Sequence, residues 1–476
     1  MLTFGQILTF AFYIPMKYLL NAAAWLLLLY ISISLPSGCA QIGAPTGGAR
    51  DSLAPVLIKA IPAEQKLNFN SNKISLNFNE YIEVQEIQNN LLVSPLPRTN
   101  PQVTFNLKTV TIRLKDSLLP NTTYSIQFGN AIKDVNEGNV LKNFSYVFST
   151  GNIIDSLTLR GNVLLAENGK VDSTIAVALY RNISDTAVQK TRPDFLTRLK
   201  GDGSFEFKNL PAGNFNIYAI KDADGNKYYS IKTELFAFVD SSIRVGASTP
   251  AISLFAYAEE KPSDNKLIRV LKPVLEKQLK FTSNLSGEQD LLDTLKISFN
   301  NPLKLIDTAS LVLLDTNYRA IPAGQVKIDS TRKLLSYLPV WKPGASYRII
   351  FKETAFEDSA GNLLKKTDTL SFNAKQEAAY ARITLRFQNY NQQANPVLQF
   401  VQQDAVKLSY PLFGAEWSNS RFPPGEYEIR ILNDYNKDGK WTPGNYTLKV
   451  QPEKAFTVSQ KITLKANWDN ERDIEL

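Results

Sequence analysis

From residue 52 onward, apolar residues recur at every second position in short segments, and this alternation restricts the chain to strands with one buried face. Ile74, Leu76 and Phe78 alternate with Lys73, Ser75 and Asn77. Val110, Ile112 and Leu114 alternate with Thr111 and Arg113, and the runs Tyr124, Ile126, Phe128 and Phe144, Tyr146, Phe148 repeat the pattern. Asn, Asp, Gly and Pro bound the segments, as turns require. Helical periodicity is scarce, so the expected fold class is all-β, a tandem array of sandwiches. The 476 residues suffice for several domains.

The chain also repeats itself. Leu119-Pro-Asn-Thr-Thr-Tyr124, Asp134 and Gly138-Asn139 return as Lys342-Pro-Gly-Ala-Ser-Tyr347, Asp358 and Gly361-Asn362. Pro120 to Pro343 and Gly138 to Gly361 are both 223 positions apart. A second pattern, Leu210-Pro-Ala-Gly213-Asn-Phe215 with Asp222 and Asp224, returns 212 positions later as Phe422-Pro-Pro-Gly425-Glu-Tyr427 with Asp434 and Asn436. Two copies of a two-domain unit follow. The expected boundaries are 54–151, 155–257, 266–375 and 378–476, and the expected shape is a rod of four sandwiches.

Residues 1–38 carry one charge, Lys17, ahead of the apolar run Ala22–Tyr30 and the small residues before Cys39, the order of a secretory signal. Starting at Met16 would put that charge at the head of a compact signal, so the true start is expected there. Ser37-Gly38-Cys39 resembles the bacterial lipoprotein lipobox, with Pro36 where that motif usually has Leu. The resemblance implies that Cys39 is acylated and anchors the mature chain in a membrane. Residues 39–53 read as the lipidated Cys and a flexible tether. Ala40 is not the aspartate that retains enteric lipoproteins at the inner membrane, so the expected location is the outer membrane, facing the periplasm. An uncleaved transmembrane anchor is the alternative.

Residues Ser75–Glu80, Leu119–Tyr124, Ile132–Asn139 and Phe148–Gly151 resemble bacterial Ig-like domains of the S-layer type. Residues Gly203–Gly213 resemble the transthyretin-like or carboxypeptidase-regulatory-like sandwich; the fourth domain lacks the Asp-Gly-Ser-Phe lead-in. These resemblances imply structural, adhesive or carbohydrate-proximal modules, usually without catalysis.

Composition removes most chemistry. The chain has no His and one Cys, which rules out Ser-His-Asp and Cys-His nucleophiles, imidazole zinc sites and internal disulfides. A formal net charge of +8 over this length is weak, and nucleic acid is not an expected partner outside the cytoplasm. An enzyme would rest on paired carboxylates, such as Glu80 with Glu83 or Asp434 with Asp438, and the chain is expected not to be one.

One loop offers specific chemistry. Asp434, Asn436 and Asp438 followed by Gly439 copy the first half of an EF-hand calcium loop, and the carbonyl of Lys440 would add a fourth ligand. Asn445 stands where the bidentate Glu belongs. A hairpin turn satisfied by its own side chains is the competing reading. Asp222-Ala-Asp224-Gly225-Asn226 and Asp134-Val-Asn136-Glu137-Gly138 are shorter relatives, read as turns. Trp441, inside the polar loop, is the aromatic expected to stack on a sugar; Trp417 and Trp468 are weaker candidates. The leading expectation is a lipid-anchored envelope scaffold with a protein or glycan partner. The alternative is a calcium-dependent glycan-binding or carbohydrate-active protein.

Overall fold

The computed structural model describes residues 16–33, 50–261, 276–321, 325–338 and 341–475. Cys39 and the following tether to residue 49 lie outside them, as does most of the link between the two repeat units. Met16–Ile33 is a helix with Lys17 and Asn21 near its start. Among the described residues no helix is long and apolar enough to cross a membrane.

The rest is all-β, built mainly from antiparallel strand pairs in sheets packed face to face. In the first sandwich one sheet runs Leu57–Ile61, Lys73–Phe78, Thr109–Arg113, Gln102–Asn106, and the other Leu92–Ser94, Thr123–Gly129, Phe144–Ser149. Register pairs Ile74 with Ile112 and Leu76 with Val110, so alternate residues of neighbouring strands point the same way. Those side chains, with Phe78, Ile126, Phe128, Tyr146 and Phe148, form the core. The third sandwich has the same order of strands, Phe281–Ser283, Leu295–Phe299, Leu334–Leu338, Gln325–Ile328.

The second and fourth sandwiches share a different topology. Leu157–Leu165 lies between Ser204–Leu210, antiparallel, and Ile252–Ala256, parallel; Ala381–Gln388 lies likewise between Glu416–Phe422 and Asp469–Glu475. Gly161 shows how closely its two flanking strands crowd the central one. A Cβ there would sit 2.1 Å from the Ile252 carbonyl oxygen and 2.5 Å from the Phe205 ring.

Two repeated motifs receive physical explanations. The Tyr124 hydroxyl accepts the Leu119 N–H at 2.8 Å, and 223 positions on the Tyr347 hydroxyl accepts the Lys342 N–H at 2.8 Å. Each tyrosine ties a corner of its sandwich to the strand that follows, in the manner of a tyrosine corner. Asp134 is 1% exposed and accepts the N–H groups of Glu137 (2.6 Å), Gly138 (3.0 Å) and Asn139 (2.6 Å). Asp358, fully buried, accepts those of Ala360 and Asn362 and the side-chain amides of Asn301 and Asn362. The Asp134 carboxylate holds a turn through these N–H groups, and Asp358 does the same in the third sandwich.

The linear rod is corrected. The second and fourth sandwiches pack directly on one another, although the third separates them in sequence. Ala455 donates its N–H to the Ala166 carbonyl at 2.8 Å, and Thr457 Oγ1 donates to the Asn168 carbonyl at 2.6 Å. Tyr446 of the fourth sandwich belongs to the same apolar cluster as Tyr180, Tyr218, Tyr229, Phe236 and Phe238 of the second. Strand patterning describes each sandwich separately and carries no information about which of them meet.

Candidate functional site

The surface where the second and fourth sandwiches meet gathers the acidic loop, Trp441 and Tyr446. After strand Gly425–Asn433 the chain turns through Asp434–Thr442, and strand Lys454–Leu464 returns beside it. Asp434 is buried. Its Oδ1 accepts the Asp438 N–H at 3.2 Å and its Oδ2 the Gly439 N–H at 2.8 Å. Asn436 Oδ1 also accepts the Asp438 N–H, while its amide donates to Asp438 Oδ2 and Thr442 Oγ1. Asp438 Oδ1 accepts the Lys440 N–H at 2.7 Å.

Glu453, which sequence reasoning missed, completes the loop. It is 5% exposed, and its carboxylate accepts the N–H groups of Tyr435, Asn436 and Thr442. This hydrogen-bonding pattern is that of a turn satisfied by its own side chains. Among the described residues, the acidic group whose oxygens lie close enough to share a metal is Asp222, Asp224 and Glu234, in the equivalent loop of the second sandwich. Position 12 of the loop holds Asn445, which exchanges backbone hydrogen bonds with Val450 and caps the Leu448 N–H.

Trp441 is a packing residue. Its Nε1 donates to the Glu453 carbonyl at 2.7 Å, and its ring lies against Val397, Leu432 and Ala455. Trp417 packs on Phe400 and Tyr410. Trp468 is 59% exposed, with Lys465 over its ring. The sequence signal for an exposed aromatic in a polar loop therefore fails at Trp441, because the returning strand covers the ring.

The paired carboxylates also have structural partners. Glu83 pairs with Lys133 at 3.7 Å and accepts from Gln85. Partial burial raises the pKa of Glu80, helped by the charges of Asp134, Asp51 and Glu137. A cavity of about 510 Å³ in the first sandwich, lined by Leu96, Pro97, Arg98 and Tyr124, contains one carboxylate, Asp116, which accepts the Thr99 N–H. Cys39 lies outside the described residues.

The most developed structure at this surface is Tyr446. It is 4% exposed, with ring centroids 5.0 Å from Phe236, 5.1 Å from Phe238 and 5.9 Å from Tyr218, all edge-on. Its hydroxyl donates to the Asp185 carbonyl at 2.6 Å and lies 3.0 Å from the Tyr218 hydroxyl. Its N–H donates to Glu259 at 2.9 Å. Burial raises its pKa, and the Tyr218 hydroxyl adds to the rise. Around it, Lys449 pairs with Asp185 (2.8 Å) and Lys170 with Asp404 (2.5 Å), and Gln451 donates to Asp240 (2.7 Å). Two residues before Tyr446, Gly444 permits the close approach. A Cβ there would lie 2.6 Å from the Tyr257 ring.

Residues 51–150, the first sandwich, match the bacterial Ig-like domain family. No curated protein matches the chain. Among solved structures, the Bacillus anthracis TIE protein aligns with 91% of this chain and 75% of its own, at 12% identity and a TM-score of 0.17. BcpA, the major pilin subunit of Bacillus cereus, aligns with 67% of this chain and 99% of its own, at 10% identity and 0.16. An L,D-transpeptidase from Mycobacterium smegmatis aligns with 40% of this chain and 76% of its own, at 10% identity and 0.15. At these scores nothing about function passes from them to this chain.

Proposed function

We propose that this chain is a non-catalytic envelope scaffold, anchored by lipid on Cys39 and holding its sandwiches in a folded-back arrangement. The observation that carries the reading is the joint around Tyr446. Asp434 and Glu453 of the fourth sandwich satisfy the N–H groups of their own turn, and Tyr446 fastens the joint. The Ig-like match of residues 51–150 supports a structural module. The order Lys17, apolar run, Ser37-Gly38-Cys39 supports export and acylation. In this reading the anchor faces the outer membrane from the periplasm, and the outer surfaces of the sandwiches meet an envelope protein or glycan.

Cys39→Ala tests the anchor. The unmodified chain is expected in the membrane fraction with acyl label on it, and the variant in the soluble fraction without label. A processed Cys39→Ala chain that still floats with membranes overturns the lipoprotein reading.

A further inference from the structure

The two copies of the acidic turn differ in where their carboxylate oxygens go. In the second copy both oxygens of Asp434 and both of Glu453 accept loop N–H groups. In the first copy Asp222, 212 positions earlier, accepts the Lys227 N–H on Oδ2 at 3.1 Å, but its buried Oδ1 accepts no hydrogen bond from the protein. Glu234 is 4% exposed and returns to the same turn from the bend that precedes strand Phe236–Phe238. Its Oε1 lies 3.4 Å from the Ala223 N–H, and its buried Oε2 has no partner. Asp224 completes the group, and ligand oxygens of all three acids lie within 4.8 Å of one another. Two of the neighbouring lysines are engaged elsewhere, Lys221 with Asp172 at 2.9 Å and Lys232 with Glu260 at 3.3 Å.

Asp222 Oδ1 and Glu234 Oε2 are shielded acceptors without a donor, and a buried acceptor left unpaired costs free energy. A cation resolves the cost. Two oxygens bound to one calcium at about 2.3–2.6 Å stand no more than about 5 Å apart, which matches the observed spread. An all-oxygen set without imidazole or thiolate selects a hard cation. Calcium suits it better than magnesium, because Asp224 is exposed and the loop imposes no octahedral cage.

We propose that Asp222, Asp224 and Glu234 bind one calcium ion. Asp222 and Glu234 supply Oδ1 and Oε2 from the buried side, Asp224 closes the site from the solvent side, and water fills the remaining positions. Asn226 is a support: its amide donates to Asp224 Oδ2 at 2.6 Å and to Ser230 Oγ at 3.0 Å. The site bears on the joint, because the same loop carries Tyr229. That ring stacks on Phe236 at 4.0 Å and meets Tyr446 edge-on at 6.2 Å. With few protein ligands the dissociation constant is expected on the order of 10⁻⁴ to 10⁻³ M, as in extracellular modules.

Calorimetric titration of the chelator-treated full chain with calcium chloride tests the site. Terbium luminescence excited through the loop tyrosines Tyr228 and Tyr229 gives a second readout. One calcium per chain is expected, weakened at least about tenfold in Asp224→Asn and in Glu234→Gln through the lost ligand charge, and unchanged in Asp438→Asn. No calcium heat in the unmodified chain overturns the proposal. So does binding that survives Asp224→Asn, or binding that Asp438→Asn abolishes. Asp224 is exposed, so its variant decides the question even where Glu234→Gln does not fold.

Discussion

At Asp134 burial and hydrogen bonding act against one another. Burial alone would raise its pKa, but the N–H groups of Glu137, Gly138 and Asn139 outweigh it and hold the carboxyl below its ordinary value. Asp358 in the third sandwich is lowered in the same way, with burial opposed by Asn362 and Asn301. A group whose pKa is depressed in the folded state stabilises most above its unfolded value, about 3.9, and the contribution disappears as pH falls from there through the folded value. Thermal unfolding is therefore expected to show falling stability in the first and third sandwiches below about pH 4. Asp134→Ala strands the turn N–H groups and is expected to cost about 3 kcal/mol at neutral pH. The same variant is expected to flatten the acid limb of the first sandwich. An unchanged melting temperature with an unchanged acid limb would show that the turn holds without its carboxylate.

Among the elements, the segment from Gly444 to Lys454 decides how the repeat units sit together. It presents Tyr446 to the aromatic slot formed by Tyr218, Phe236 and Phe238. Truncating a buried aromatic costs about 3–5 kcal/mol, and Tyr446→Ala also removes the donor to the Asp185 carbonyl and one hydrogen-bond partner of the Tyr218 hydroxyl. Tyr446→Ala is expected to release the second sandwich from the fourth, with a larger radius of gyration in X-ray scattering and intact secondary structure by circular dichroism. Tyr446→Phe keeps the ring and loses the hydroxyl bonds, so it is expected to cost only about 1 kcal/mol and to leave the molecule closed. An unchanged scattering profile for Tyr446→Ala would assign the joint to the backbone contacts at Ala455 and Thr457.

At the scale of the whole molecule, the docking closes a loop that contains the entire third sandwich. Loop closure over such a length costs chain entropy only logarithmically, so one well-packed contact suffices to hold it. The surface ion pairs across the joint add little energy, since exposed pairs contribute about 0–1 kcal/mol. They report its geometry instead. Carbodiimide treatment of the monomer is expected to join Lys449 to Asp185 and Lys170 to Asp404, pairs 264 and 234 residues apart. Both cross-links are expected to vanish in Tyr446→Ala. Their absence from the unmodified monomer would return the chain to an extended array. Within each unit the neighbours are coupled as well: Tyr380 donates to Asp290 at 2.7 Å, and Leu96 donates to the Asp194 carbonyl at 2.7 Å.

The all-β fold was legible because period-two alternation is local: Ile74, Leu76 and Phe78 announce a buried face wherever their partners lie. The repeats were legible for a similar reason, since Tyr124 with Leu119, and Asp134 with Gly138, act within a few residues along the chain. The acidic turns were only half legible. Asp434 and Asp222 are alike in sequence, and the difference between them lies in Glu453 and Glu234, acids from later in each chain segment. Glu453 meets its turn fully hydrogen-bonded, and Glu234 meets its turn with an oxygen left over. Trp441 read as exposed because its neighbours in sequence are polar, while the ring is covered by residues from other strands. Patterning determined which side of each strand is apolar and where the chain turns. Only the tertiary structure decided which acids share a turn and which sandwiches touch, because those outcomes depend on the fit of surfaces formed by residues distant in sequence.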